Sequence, residues 1–154
     1  MYARIVEGKV RKVFDRLSEG DIGPLVKGLT KDCRHHTGGT HALGGERHSR
    51  QATQQWYERL MRLLPGLTFD VDEVHVRGMP WNTTVVARWR DHAMIGTYDY
   101  ENEGVNTMTL RFGKVSVLDV RCDDTRLAEA CAAAVAAGRP EGGEPPITDS
   151  APAD

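Results

Sequence analysis

Apolar residues in the first twenty positions recur at a helical interval. They lie three or four positions apart, at Val6, Val10, Val13, Phe14 and Leu17. That spacing places them on one face of an α-helix. The pattern therefore predicts an amphipathic helix over residues 3–19 that ends at Gly20.

Two further helices are predicted before residue 67. Asp21 can cap a short second helix, because its carboxylate can accept hydrogen bonds from the free N–H groups of the first turn. Pro24 falls in that turn, where a missing N–H costs little, and Gly28 closes the element. A short strand at 32–37 and a glycine-rich loop follow.

The third helix is predicted to begin at Ser49, which has the side chain of a typical N-cap. Its apolar stripe comprises Trp56, Leu60, Leu63 and Leu64. Pro65 and Gly66 end the helix.

After Gly66 the apolar repeat changes to every second residue, which is typical of a β-strand. Phe69 and Val71 share one parity, whereas Val74 and Val76 continue on the other. A shift of one residue predicts a β-bulge near Asp72, which would bend the sheet.

The remaining alternating segments predict three more strands. Residues 79–82 are a turn, and residues 83–95 form a long strand. Residues 96–103 are interpreted as a loop or irregular strand, and 104–112 and 114–122 as a final hairpin.

An alanine-rich helix capped by Asp123 or Asp124 is expected to end at Gly138. Residues 139–154 contain four prolines and little apolar content, so they are predicted to be a disordered acidic tail. The domain proper is then 1–138. Helices followed by consecutive strands indicate an α+β fold, with three N-terminal helices on the concave face of a cone-shaped, curved antiparallel sheet. Such an arrangement leaves a cavity suited to a small molecule.

Composition narrows the classes of function. The 154 residues carry a formal net charge of −2, which gives no electrostatic reason to expect nucleic acid or an anionic membrane as a partner. No apolar run reaches the roughly 18 residues of a membrane span. The N-terminal segment is unlike a signal peptide, and the three cysteines lack metal-site spacing. We therefore expect a cytoplasmic protein with reduced thiols.

Several short segments, in this order and spacing, carry a family resemblance. They are Leu17–Asp21, His35–Gly39, Leu43–Gly45, Ser49–Ala52, Tyr100–Val105, Gly113–Val115 and Asp123–Thr125. Together they resemble the nuclear-transport-factor-2-like superfamily, in its SnoaL-like and ketosteroid-isomerase-like branch. The resemblance implies a cone-shaped pocket and commonly a homodimer, here expected through the outer face of the sheet. It leaves the activity open, because members include isomerases, cyclases, epoxide hydrolases, dehydratases and non-catalytic binders.

Three positions where active relatives carry a reactive group are different in this chain. The resemblance aligns the aspartate of SnoaL-like cyclases with Val120 and the isomerase tyrosine with Val13. The isomerase base aligns with Thr37, which cannot act as a base at neutral pH. None of these mechanisms is inherited unchanged.

Three other polar residues are the candidates for catalysis. His35 shares the parity of Cys33 and Thr37, and an inward imidazole could act as a base near neutral pH. Asp91 shares the parity of Trp89 and could orient that base or share its proton. Asn106 could donate to a developing oxyanion together with a tyrosine. The alternatives are a core histidine, an aspartate in a wet loop and a structural amide.

A wider set is expected to line the pocket: Val13, Phe14, His36, Trp56, Trp89, Tyr98, Tyr100, Leu118 and Val120. The aromatic members could equally be core residues. Only one of the adjacent His35 and His36 can face inward from a regular strand. Neither a metal nor a cofactor is expected; the alternative is a metal site of His36, His41 and one acidic residue.

These features favour a cofactor-free isomerase, cyclase or dehydratase that acts by proton transfer on a hydrophobic oxygenated metabolite, such as a polyketide, steroid or terpene. Two alternatives use the same fold. One is a non-catalytic small-molecule-binding module, which the apolar Val13 and Val120 favour. The other is a structural dimerisation module whose pocket is filled by side chains.

Overall fold

The structure of the protein, a computed structural model, describes residues 1–150. The helices are α1 (Tyr2–Ser18), α2 (Gly23–Lys27), α3 (Arg50–Leu63) and α4 (Asp124–Ala136), followed by a 3₁₀ turn at Pro140–Gly143. The strands are β1 (Leu29–Thr37), β2 (Gly45–Arg47), β3 (Thr68–Met79), β4 (Asn82–Ile95), β5 (Tyr98–Arg111) and β6 (Lys114–Cys122). The predicted α+β class is confirmed.

All six strands form one sheet in the order β2-β1-β6-β5-β4-β3. Every neighbouring pair is antiparallel except β1 and β6, which run parallel. The sheet is therefore mixed, whereas the sequence had predicted an antiparallel one. A parallel pair needs a long connection, and α3 with three intervening long strands supplies it.

The strand register confirms the bulge and corrects the expected loop. The pairing of β3 with β4 shifts between Val71 and Glu73, where the parity of the sequence changes. Residues 96–103 are mostly regular strand, because β5 begins at Tyr98 directly opposite Ile95. Gly96, with φ of 61°, allows the tight turn between the two strands.

The helix starts follow the expected capping chemistry at two of three places. The Ser49 side chain accepts a hydrogen bond from the Ala52 N–H. Asp123 accepts from the N–H groups of Thr125 and Arg126 at the start of α4. Asp21 instead accepts from Gly23 and lies one residue before the N-cap of α2.

The concave side of the sheet supplies one half of the core. Alternate residues of β4 from Val85 to Ile95 are buried, and this set includes Trp89 and Asp91. The amphipathic α1 packs on β3, while α3 packs on β1. In the part of the chain that the structure describes, no helix has the length and apolar character needed to cross a membrane.

Residues 139–150 are packed against the domain, so the prediction of a disordered tail is wrong for this segment; residues 151–154 lie outside the described part. Arg59, which is buried, binds the carboxylates of Glu141 and Glu144 at 3.0 and 3.1 Å. The buried Arg47 donates to the Ile147 carbonyl. The hydropathy of residues 139–150 does not predict this packing, because ion pairs and hydrogen bonds to backbone carbonyls hold the segment in place.

Candidate functional site

A large apolar cavity lies between α1, α2 and the concave face of β5 and β6. Its volume is about 630 Å³, within the range of small-molecule sites. The stripe on α1 forms one wall with Val6, Val10, Val13, Phe14 and Leu17. Met108, Leu110, Val115 and Leu118 form the opposite wall. The helical and strand periodicities thus both contribute apolar side chains to the same space.

A second cavity of about 40 Å³ adjoins the first. Four side chains border both spaces and separate them: Phe14, Leu17, Tyr57 and Asn106. The walls of the small cavity include Trp56, Trp89, Val120 and the polar residues Asp91 and Tyr100. Asp91 and Tyr100 therefore lie behind the inner end of the large cavity.

Asp91 carries the most perturbed carboxyl of the site. Its position on β4 points it inward with Trp89, leaving the residue 8% exposed. Burial raises the pKa of Asp91 to about 7, although the Tyr100 hydroxyl acts in the opposite direction. Its Oδ1 atom is buried without a hydrogen-bond partner among residues 1–150. Near neutral pH this carboxyl can either give or take a proton.

Tyr100 approaches Asp91 from the neighbouring strand, since it lies opposite Ala93 in the β4–β5 register. Burial, and then the nearby Asp91 charge, raise the pKa of the Tyr100 phenol. Burial also raises the pKa of the Cys122 thiol in the same cavity, to about 12. Both groups stay protonated at neutral pH, so Tyr100 is available there as a hydrogen-bond donor.

Asn106 has a defined orientation at the border of the two cavities. The Trp89 indole N–H donates to its Oδ1 atom at 2.9 Å. An indole nitrogen can only donate, so the amide oxygen must face Trp89. The two N–H groups of the amide then point away from Trp89. Asn106 and Tyr57 are the two polar residues that border both cavities.

His35 faces inward as predicted but has no free basic nitrogen. Its Nδ1 accepts a hydrogen bond from the Arg47 Nε–H at 2.9 Å, so the proton of the neutral ring lies on Nε2. Burial, and then the Arg47 charge, hold the pKa of His35 well below its ordinary value of 6.5. The residue is fully buried and borders neither inner cavity. In this geometry His35 lacks both the free basic nitrogen and the cavity contact that a general base needs.

Two residues expected in the pocket lie elsewhere. His36 is exposed on the outer side of the sheet and binds Asp119 at 3.0 Å. It alternates with His35 on a regular strand, which is why only one of them faces inward. The Tyr98 hydroxyl donates to Glu129 of α4 at 3.0 Å.

The other expected residues border one or both cavities: Val13, Phe14, Trp56, Trp89, Tyr100, Leu118 and Val120. Other residues that border the cavities were not expected there from the sequence, among them Tyr57, Phe69, Met108 and Val115. The parity of Asn106 on its strand could have identified Met108. Tyr57 lies beside Trp56 on α3, and helical periodicity had indicated only the narrower stripe.

Metal-like spacing occurs at one place within residues 1–150. The ligand atoms of His92, Asp99 and Glu101 lie within 4.8 Å of one another, all on exposed side chains. All three side chains lie on the β4–β5 hairpin, in which His92 binds Asp99 and Tyr98 lies opposite Ile95. None of these three side chains borders the large or the small cavity.

Solved structures share this architecture at low sequence identity. PrhC from Penicillium brasilianum matches with a TM-score of 0.71 and 15% identity, over 92% of this chain and 95% of that chain. TerC, co-crystallised with polyporic acid, matches with a TM-score of 0.67 and 18% identity, over 81% and 96%. A candidate SnoaL-like polyketide cyclase from Jannaschia sp. CCS1 matches with a TM-score of 0.63 and 18% identity, over 83% of this chain and 92% of that chain.

A comparison with curated proteins finds no significant match to the sequence. The family model of the SnoaL-like domain matches residues 10–118. The matched region extends from Val10 in α1 to Leu118 in β6 and includes most residues of both walls of the large cavity. The chain therefore belongs to the SnoaL-like domain family.

Proposed function

We propose that the protein binds a hydrophobic, oxygenated small molecule and catalyses a cofactor-free isomerisation, cyclisation or dehydration by proton transfer. One observation carries this proposal: a buried carboxyl, Asp91, whose pKa is raised to about 7 beside an apolar cavity. A group with a pKa near the ambient pH is best suited to exchange protons with a substrate.

The neighbouring groups have complementary roles. The apolar body of the ligand occupies the large cavity. Asp91 takes a proton from a carbon or gives one to an oxygen. Tyr100, held protonated, and the amide of Asn106 donate hydrogen bonds to an oxygen on which negative charge develops.

Access to Asp91 requires movement of the wall between the cavities. A ligand in the large cavity ends against Phe14, Leu17, Tyr57 and Asn106. Rotation of Phe14 or Leu17 on α1 joins the two spaces. Asp91 also borders a polar surface cleft between β3, β4 and β5, with Arg90 and Glu103 in its walls. This cleft gives Asp91 a second, polar border besides the small cavity.

The structural relatives support the ligand class. TerC was crystallised with polyporic acid, and the Jannaschia protein is named as a candidate polyketide cyclase. With identities of 18% in both cases, these likenesses concern the fold.

A non-catalytic binder is the second candidate. Val13 and Val120 border the cavities where relatives carry reactive groups, and the cavity holding Asp91 is small. Such a protein would bind the same ligands and leave them unchanged.

Deuterium exchange distinguishes the two candidates without knowledge of the natural substrate. Bicyclic and tricyclic ketones incubated with the protein in D₂O should gain deuterium beside the carbonyl. Asp91→Asn should slow that exchange at least about 100-fold, the usual lower bound for loss of a general base. Mass spectrometry of the recovered ketone gives the rate.

Asp32→Asn is the matched control, because it makes the same chemical change at an exposed position. It should exchange at the wild-type rate. Ketones that bind to the wild-type protein but gain no deuterium above background would support the binder and exclude the proton-transfer proposal.

A further inference from the structure

The charged side chains along the large cavity all have the same sign. Lys9, Lys12 and Arg16 border it, and no aspartate or glutamate within residues 1–150 does. The three lie on α1 at intervals of three and four residues, so they form one stripe beside the apolar stripe of the same helix. All three are exposed, which places them at the mouth of the cavity.

Two of these cations are not neutralised by neighbours. Arg16 binds Glu19 and Asp21 at 3.6 and 3.2 Å. The nearby Glu7 is engaged by Arg11. Among residues 1–150, Lys9 and Lys12 form no ion pair within 4.0 Å, so their charge is available to a ligand at the mouth.

The cavity therefore has different chemistry along its length. Its mouth carries free positive charge, its middle is apolar, and its inner end presents the amide of Asn106. A wholly neutral ligand would leave the two lysines unused. An apolar molecule with a carboxylate at one end and an oxygen at the other matches all three regions.

We propose that the ligand is an amphipathic organic carboxylate whose anionic group lies against Lys9 and Lys12 while its apolar body fills the cavity. This inference rests on the proposed function, since it uses the same cavity. It adds the charge of the ligand and its orientation, with the carboxylate outward and the reacting end toward Asn106 and Asp91.

Two probes with the same apolar body test the inference: 1-pyrenebutanoate, an anion, and 1-pyrenebutanol, which is neutral. Their dissociation constants are measured by fluorescence anisotropy at low salt. Lys9→Gln/Lys12→Gln should bind the carboxylate about fivefold more weakly, since each exposed charge pair contributes a fraction of a kcal/mol. Binding of the alcohol should change less than twofold. At 1 M salt the carboxylate should lose this dependence on the lysines, because the screening length falls to about 3 Å.

Arg77→Gln/Arg88→Gln is the matched control. It also removes two positive charges, from exposed residues of β3 and β4 that border neither inner cavity. The control should bind both probes as the wild-type protein does. An equal loss of carboxylate affinity in this variant would mean that overall charge is responsible, which overturns the inference.

Two blocking variants locate the binding. Val115→Trp on β6 and Val10→Trp on α1 each place a large ring in the cavity from opposite walls. Each of these variants, if it folds, should no longer bind either probe. If the alcohol binds in the cavity and the carboxylate ignores the lysine substitutions, the carboxylate inference fails while the proposed function survives. If neither probe binds, or if blocking changes nothing, both fail.

Discussion

Replacing Asp91 with asparagine is expected to make the protein more stable than the wild type above pH 7, and close to it in stability near pH 4. Ionised Asp91 is a buried negative charge without a full set of partners, and such a charge is costly. The neutral amide has nearly the shape of the protonated acid and avoids that cost at every pH.

The direction of this pH dependence follows from the pKa of Asp91 in the folded state and in the unfolded state. The folded protein raises the pKa of Asp91 from its ordinary 3.8 to about 7, so the folded state holds the proton more tightly than the unfolded state. The stabilising effect of that proton is complete below pH 3.8 and is lost as the pH rises through 7. The difference corresponds to an upper limit of about 4 kcal/mol.

Urea unfolding of wild type and Asp91→Asn between pH 4 and 9 measures this effect. All other groups are common to the two proteins, so their contributions cancel in the difference. Asp32→Asn makes the same chemical change at an exposed position and is the control for effects of the substitution itself. A constant difference between Asp91→Asn and wild type across the range would mean that Asp91 titrates normally.

Truncation after Gly138 should lower the free energy of unfolding by about 1.5–3 kcal/mol, the range for losing hydrogen bonds to a charged group. Arg59 would lose Glu141, Glu144 and the Pro145 carbonyl and keep only the Ala42 carbonyl as a partner. Arg47 would lose the Ile147 carbonyl, one of the acceptors that satisfy its guanidinium. Asp149 would also leave the N-terminal end of α3, where it binds Ser49.

Truncation after Ser150 is the control for that experiment, since it keeps every contact of residues 139–150. Glu141→Gln/Glu144→Gln should give an intermediate loss, because it removes the negative charges and keeps the carbonyl contacts. Equal stability of the protein truncated after Gly138 and the full chain would show that the segment does not hold the fold.

The sequence predicted most elements because their apolar periods are strong. The stripe on α1 and the change of parity before Val74 both correspond to observed features. The start of β5 was missed because its buried positions are Tyr100 and Asn102 rather than aliphatic residues. The docking of residues 139–150 was missed because it depends on Arg47 and Arg59, whose burial hydropathy does not predict.

In the candidate site, too, the sequence predicted the direction of side chains but not their contacts with other elements. Parity correctly placed Asp91 and His35 inward. It could not show that Arg47, twelve residues away, occupies the basic nitrogen of His35. Nor could it pair Asp91 with Tyr100, since that contact depends on the tight turn at Gly96 and the register that follows. Side-chain direction is a local property, whereas the protonation state of a side chain depends on neighbours from other elements.

The most direct measurement of the central claim is the titration of the Asp91 carboxyl by ¹³C NMR, with the resonance assigned by its absence in Asp91→Asn. A carboxyl that exchanges protons at neutral pH should give a midpoint close to pH 7. Saturation of the cavity with 1-pyrenebutanoate should then shift that midpoint, because the ligand changes the solvation beside Asp91. A midpoint near pH 4, with or without ligand, would mean that Asp91 is fully ionised at neutral pH, and would contradict its proposed role as a proton donor.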